Sequence, residues 1–120
     1  MIRILIVEDN AVVAMHLKIL LEQNGYQVIG KCARGGDAIL VAKSELPDLI
    51  FMDIMLEDEV DGIEAMHKIR EFSHAPAIFM SALTDKESVE KMNQIQNVKL
   101  TKKPFKETEL LSLAKQLLSF

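Results

Sequence analysis

Residues 2–10 read Ile-Arg-Ile-Leu-Ile-Val-Glu-Asp-Asn. A short and almost continuously apolar run therefore leads directly into two acids, Glu8 and Asp9. Apolar residues that follow one another, rather than alternating with polar ones, are typical of strands buried on both faces in a parallel sheet. In open α/β sheets, ligands bind beyond the carboxyl ends of such strands. This stretch predicts a buried strand with candidate functional residues at its end.

The rest of the chain repeats the pattern. Strand-like runs occupy Ile2–Val7, Val28–Ala33, Leu49–Met52, Ala77–Met80 and Val98–Leu100. Between them, apolar residues recur at helical spacing, as in Val13, Leu17, Leu20 and Leu21, in Ile63, Met66 and Ile69, and in Leu110, Ala114, Leu117 and Leu118. Weaker helices are predicted over residues 36–45 and 85–96, the second starting with capping-box spacing at Thr84–Glu87. Strict alternation of strands and helices predicts an α/β fold with a parallel sheet.

Length, charge and cysteine content exclude several classes of protein. The 120 residues fit one domain, residues 1–120. With 14 Lys+Arg against 18 Asp+Glu, the chain is mildly acidic, which argues against direct binding of nucleic acid. The apolar runs are too short for membrane insertion, and the N-terminus does not resemble a signal peptide. The single cysteine, Cys32, cannot form an internal disulfide, so we expect a cytoplasmic protein.

Chemically active side chains follow four of the five predicted strands. Glu8 and Asp9 follow the first, Asp53 ends the third, Ser81 ends the fourth and Lys103 follows the fifth. Carboxylates packed together repel one another unless a cation neutralises them, and oxygen ligands suit Mg²⁺. A lysine and a hydroxyl can bind phosphoryl oxygens, and a carboxylate can accept a phosphoryl group. The set predicts a metal-assisted phosphoryl acceptor; no histidine and cysteine spacing indicates a zinc site.

The chain resembles the receiver domain of two-component response regulators. The resemblance rests on the residues above and on the segments Asp53–Leu56, Asp61–Glu64, Ser81–Ala82 and Lys103–Phe105. The resemblance covers essentially the whole chain. It implies a flavodoxin-like, doubly wound (βα)5 fold whose five-stranded parallel sheet has the order 2-1-3-4-5.

The resemblance also implies a metal site. Asp53 would be the phosphoacceptor and, with Asp9, would hold Mg²⁺ or another divalent cation such as Mn²⁺. Glu8 would act on the metal directly or through water. The backbone carbonyl of Met55 would be a further ligand.

The resemblance assigns Ser81 and Lys103 to the phosphoryl group and implies a cis peptide bond between Lys103 and Pro104. The expected partners are a histidine kinase or a histidine phosphotransfer protein as donor, and a downstream output domain or protein. A homodimer is a further possible partner arrangement. The domain would catalyse only its own phosphoryl transfer and dephosphorylation, and would act as a switch through its loops and fourth helix.

Some positions depart from the family pattern. Glu8 stands where Asp is commoner, and the loop after Asp53 is one residue longer and acidic at Glu57–Glu59. Residues 94–97 lack the Gly-Ala often found there. Leu100 replaces the usual aromatic switch residue, which leaves open a degenerate receiver that binds partners independently of phosphorylation. An aspartyl phosphatase is disfavoured because Met55 stands where a second acid is needed, and a flavin module because no hydroxyl- or glycine-rich loop follows the first strand.

Overall fold

Five parallel strands form the centre of the molecule in a computed structural model that describes residues 1–56, 59–82 and 86–119. They are β1 (Arg3–Val7), β2 (Gln27–Cys32), β3 (Leu49–Asp53), β4 (Ala77–Ser81) and β5 (Val98–Lys102). The strands pair in the order β2-β1-β3-β4-β5. This confirms the predicted fold class and strand order.

Helices cover both faces of the sheet. They are α1 (Ala11–Gln23), α2 (Gly35–Glu45), α3 (Gly62–Ile69), α4 (Lys86–Asn93) and α5 (Glu107–Leu118). Successive residues of a strand point to opposite faces, so β1 contributes Leu5 and Val7 to one core and Ile4 and Ile6 to the other. The first core also contains buried residues of α2, α3 and α4, and the second contains those of α1 and α5. Within the described residues, no helix is both long and apolar enough to cross a bilayer.

Burial corrects one detail of the predicted elements. Strands β3 and β4 are buried throughout, whereas the edge strand β2 is only partly buried because it has a neighbour on one side alone. Cys32, the last residue of β2, is accordingly half-buried. Met15 and Met55 are exposed. The predicted capping box at Thr84–Glu87 begins outside the described residues.

Candidate functional site

The register of the sheet brings the strand ends together. Asp53, the last residue of β3, lies opposite Met80 of β4, and Ser81, the last residue of β4, lies opposite Lys102 of β5. Because the strands are parallel, the residues that follow them leave the sheet at the same edge. The structure therefore places every predicted site residue at one edge: Glu8, Asp9, Asp53, Met55, Ser81 and Lys103.

Three carboxylates form a compact cluster at this edge. Glu8, Asp9 and Asp53 each offer an oxygen atom, and these oxygens all lie within 4.8 Å of one another. Glu8 and Asp53 are buried, whereas Asp9 is partly exposed. Carboxylates this close repel one another strongly when they are ionised, so the cluster requires positive charge nearby. Oxygen donors in this number and arrangement suit a hard divalent cation.

Lys103 supplies part of that positive charge. Its Nζ donates one hydrogen bond to Glu8 Oε1 and another to Asp53 Oδ2, the second at 3.0 Å. Burial by itself would lower the pKa of Lys103, but the hydrogen bonds to Glu8 and Asp53 outweigh it, and the pKa is raised. Lys103 is therefore a firmly charged cation that bridges two buried carboxylates.

The pKa of Glu8 is raised as well, but for a carboxyl group this makes the charged form less stable. Burial raises its pKa from 4.5 to about 7, and the neighbouring Asp53 carboxyl adds to the increase. The hydrogen bonds from Lys103 and from the backbone N–H of Asn10 act in the opposite direction but do not cancel it. Ionising all three carboxylates is therefore unfavourable, and an added cation would stabilise the ionised form.

A tight turn after β3 fixes Asp53. The backbone N–H of Met55 donates to Asp53 Oδ1 at 3.0 Å, and the N–H of Gly62 donates to the Ile54 carbonyl at 3.1 Å. A Cβ atom on Gly62 would collide with the backbone carbonyl of Asp53, so only glycine allows α3 to begin this close to the strand. Asp61 caps α3 by accepting a hydrogen bond from the Glu64 N–H at 2.9 Å.

A sequence profile of the response regulator receiver domain matches residues 4–115. The chain belongs to this family. In the curated protein set, the transcriptional regulatory protein PdtaR of Mycobacterium tuberculosis H37Rv is 31% identical over 109 residues, which cover 91% of this chain and 53% of PdtaR. The chemotaxis protein CheY of Bacillus subtilis is 36% identical over 87 residues, which cover 72% of each chain.

Solved structures show the same relationship. The signal receiver domain of a modulated diguanylate cyclase from Desulfovibrio desulfuricans G20 superposes with a TM-score of 0.90 at 29% identity, covering 97% of this chain and 92% of that one. The receiver domain of a histidine kinase from Syntrophus aciditrophicus gives 0.87 at 32% identity, covering 99% and 91%. The chain spans about half the length of PdtaR but nearly all of these isolated receiver domains.

Two contacts of this receiver domain were not anticipated from the sequence. Asn10 is the cap of α1: its Oδ1 accepts from the N–H groups of Val12 and Val13 at 3.0 and 3.2 Å. The remaining oxygen of Glu8, Oε2, accepts from the Asn10 N–H at 3.1 Å. The second unanticipated contact is the close approach of Gly62 to Asp53. In the sequence, only the Asp61-Gly62 pair pointed to it.

The far side of the site is formed by β4 and β5. Ser81 is buried, and its carbonyl accepts a hydrogen bond from the Lys103 N–H at 2.8 Å. The Lys103–Pro104 peptide bond is cis, which confirms that prediction. Leu100, at the usual aromatic position, is half-buried and packs against the core cluster that contains α3 and α4.

Proposed function

We propose that residues 1–120 form a phosphoacceptor domain of a two-component or phosphorelay system, with Asp53 as the residue that is phosphorylated. One observation carries the proposal. Asp53 is a buried carboxylate whose Oδ2 faces the Lys103 ammonium, and it lies among two further acids at the edge of the sheet where ligands bind. A lone structural carboxylate would need neither the acids nor the lysine.

The chemistry uses these side chains directly. An oxygen of Asp53 attacks the phosphorus of a phosphohistidine, the P–N bond breaks, and the imidazole leaves as the acyl phosphate forms. Lys103 neutralises charge on the phosphoryl oxygens, and the Ser81 hydroxyl donates a hydrogen bond to one of them. Phosphoryl transfer needs mainly such positioning and charge stabilisation. Receiver domains are signalling domains rather than conventional enzymes, so the proposed chemistry is limited to the domain's own phosphoryl transfer and dephosphorylation.

The acidic cluster fits a divalent cation by its charge. When ionised, Glu8, Asp9 and Asp53 carry three negative charges, and Lys103 returns one positive charge, which leaves two unbalanced. Asp9, Asp53 and the Met55 carbonyl would hold Mg²⁺ or Mn²⁺, with Glu8 acting directly or through water. When bound, the ion supplies positive charge to the phosphoryl oxygens.

The proposed partners follow from the same chemistry. The donor is a histidine kinase or a histidine phosphotransfer protein in the cytoplasm, and the recipient of the signal is an output domain, a downstream protein or a second copy of the chain. New contacts to the phosphoryl group would bias the loops around Ser81 and the position of α4. The domain requires no direct contact with nucleic acid and no membrane insertion.

The proposal is tested by phosphorylating the purified chain with acetyl phosphate and Mg²⁺. We expect intact-mass analysis to show one added phosphoryl group that survives acid and is removed by base. The matched control, Asp53→Asn, removes the acceptor while keeping the shape of the side chain, and should stay unmodified. Failure of the wild-type chain to gain mass with acetyl phosphate and with a phosphohistidine donor would reject the proposal.

Leu100 favours a second candidate, a receiver that binds its partner regardless of phosphorylation. An aliphatic side chain packed into the core cannot act as an aromatic switch. The intact set of acids, hydroxyl and lysine favours the first candidate over it. Beryllofluoride, which mimics the phosphoryl group, separates the two: partner affinity that does not change on adding it would favour the binding module.

A further inference from the structure

Arg70, the residue that follows α3, donates hydrogen bonds from all three of its side-chain nitrogens. Nε and Nη2 donate to the Gln96 carbonyl at 3.1 and 3.0 Å, and Nη2 also donates to the Asn97 carbonyl at 3.5 Å. Nη1 donates to the Ser73 carbonyl at 3.2 Å. One guanidinium therefore joins the end of α3 to residues 94–97, the α4–β5 turn.

Asn97 attaches the same turn to the start of β4. Its φ of 63° lies in the left-handed region, which asparagine adopts more easily than most residues other than glycine. Its Nδ2 donates to the His74 carbonyl at 3.3 Å, and its own carbonyl accepts from the Ala77 N–H at 3.0 Å. The turn contains no glycine, so side-chain contacts rather than backbone freedom set its conformation.

The position of Arg70 suits its charge. It lies near the C-terminal ends of α3 and α4, where helix dipoles favour a cation. Burial lowers the pKa of Arg70, and within residues 1–56, 59–82 and 86–119 its acceptors are main-chain carbonyls rather than carboxylates. A planar guanidinium can bond several carbonyls at once, whereas a lysine ammonium lacks that fixed geometry. The side chain therefore holds main-chain segments together instead of forming an ion pair.

Helix α4 is held unevenly along its length. Met92, near its C-terminal end, and Ile95, in the turn that follows, are each only 6% exposed. At its other end, Lys86 and Glu87 are exposed. The buried apolar side chains and the contacts with Arg70 thus hold the same end of the helix, whereas its first two residues have neither.

We propose that Arg70 anchors the C-terminal end of α4 to α3, so that α4 tilts about this fixed end and its first turn moves most. The cause of the tilt, phosphorylation of Asp53, rests on the proposed function, whereas the anchor is present in the unmodified chain. A helix of eight residues is about 12 Å long, so a tilt of about 10° about one end displaces the other end by about 2 Å. The first turn of α4 would then present a changed surface while residues 94–97 stay in place.

The test compares Arg70→Lys, which keeps the charge and loses the forked geometry, with Lys68→Gln. Lys68 is the matched control because it lies on the same helix, is exposed, and forms its 4.0 Å ion pair with Glu71 on the surface. The first measurement is the hydrogen exchange of single amides by NMR in the metal-free, unmodified protein.

Two amides at different ends of the sheet serve as reporters. The Ala77 N–H, at the start of β4, is bonded to the Asn97 carbonyl at 3.0 Å, beside the anchor. The Ile54 N–H is bonded at 3.0 Å to the carbonyl of Met80, near the end of β4. We expect Arg70→Lys to raise the exchange rate of Ala77 relative to that of Ile54 by at least about tenfold, which equals about 1.4 kcal/mol in local opening free energy. The control variant should leave this ratio unchanged.

The second measurement is the change in backbone amide chemical shifts when beryllofluoride and Mg²⁺ are added. In the wild type, we expect residues 86–89 to change and residues 94–97 to change far less. In Arg70→Lys, the change should spread to residues 94–97, because the C-terminal end of α4 is no longer fixed.

A ratio of exchange rates that is the same in Arg70→Lys and wild type would overturn the inference, even if both amides exchange faster. Arg70 would then contribute only to global stability. Shift changes in residues 94–97 of the wild type as large as those in residues 86–89 would also overturn it.

The outcome does not depend on one variant. If circular dichroism shows that Arg70→Lys is not folded, the Arg70 Nε–H of the wild type decides. Slow exchange of this proton supports its bond to the Gln96 carbonyl, and exchange at the rate of an exposed guanidinium refutes the anchor. If the wild type does not respond to beryllofluoride, the proposed function fails, and the exchange ratio still decides whether Arg70 is the anchor.

Discussion

The helices that follow strands β3 and β4 differ sharply, although each has eight residues. Helix α3, which comes after β3, buries Gly62, Ile63, Ala65, Met66 and Ile69. Helix α4, which comes after the strand that ends in Ser81, buries Met92 alone among its described residues. The first helix is part of the core, and the second rests on its surface.

The difference has a physical cause in the residues of each helix. Helix α3 starts at Gly62, whose missing side chain lets the helix pack against the backbone of Asp53, and Asp61 caps it. Helix α4 has little apolar surface to bury, so few contacts oppose its movement. A weakly packed element is the one that a small change in free energy can displace. The contrast supports our proposal that contacts to the phosphoryl group shift the position of α4.

The largest effect should come from removing the main apolar contact of each helix. Met66→Ala should lower the free energy of unfolding by about 4 kcal/mol, because Met66 is fully buried and leaves a cavity. Met92→Ala should cost about 2 kcal/mol, since α4 can settle into the space that is left. Urea unfolding of the metal-free protein measures both, and equal losses would show that α4 is packed as firmly as α3.

The glycine that anchors α3 gives the next largest effect. Gly62→Ala should cost about 2 kcal/mol and slow phosphorylation, because the new Cβ would have to displace the backbone at Asp53. Gly36→Ala is the control: a Cβ there meets no atom within 4 Å, and alanine inside α2 should stabilise by up to about 1 kcal/mol. If Gly62→Ala were as stable as the wild type, the start of α3 would not be the anchor described above.

Hydrogen exchange compares the two helices without any substitution. The amides inside α4 should exchange at least about tenfold faster than those inside α3 after correction for intrinsic rates, a difference of about 1.4 kcal/mol in opening free energy. The reason is the shortage of buried apolar side chains in α4. Mass spectrometry of peptides that cover residues 62–69 and 86–93 gives the measurement, and similar protection of both would contradict it.

The last comparison concerns pH and tests whether the site acts separately from the helices. Because the pKa of Glu8 rises from 4.5 to about 7 on folding, its contribution to stability is complete below pH 4.5 and is lost as the pH rises through 7. The metal-free protein should therefore become less stable across that range, and Glu8→Gln should reduce the slope. The difference in hydrogen exchange between α3 and α4 should persist at both ends of this pH range. An identical slope in wild type and Glu8→Gln would exclude Glu8 as the source.

Much of the fold and the position of the site could be predicted because they depend on local patterns. The apolar runs at β1, β3 and β4 reflect burial on both faces, and the end of each run shows which side chains reach the sheet edge. The partial burial of the edge strand β2 was harder to predict. Its sequence resembles that of an interior strand, but it pairs with β1 alone. The contact of Glu8 with Lys103 was not predictable, because it joins residues 95 positions apart in the chain.

The sequence by itself determined that strands and helices alternate, that the strands are parallel, and that Glu8, Asp9, Asp53, Ser81 and Lys103 lie beyond strand ends. These properties follow from periodicity and from the geometry of parallel sheets. Only the tertiary structure decided that Lys103 bridges Glu8 and Asp53 and that Gly62 packs against Asp53. Such contacts depend on distances between separate elements, which emerge only when the strands are in register.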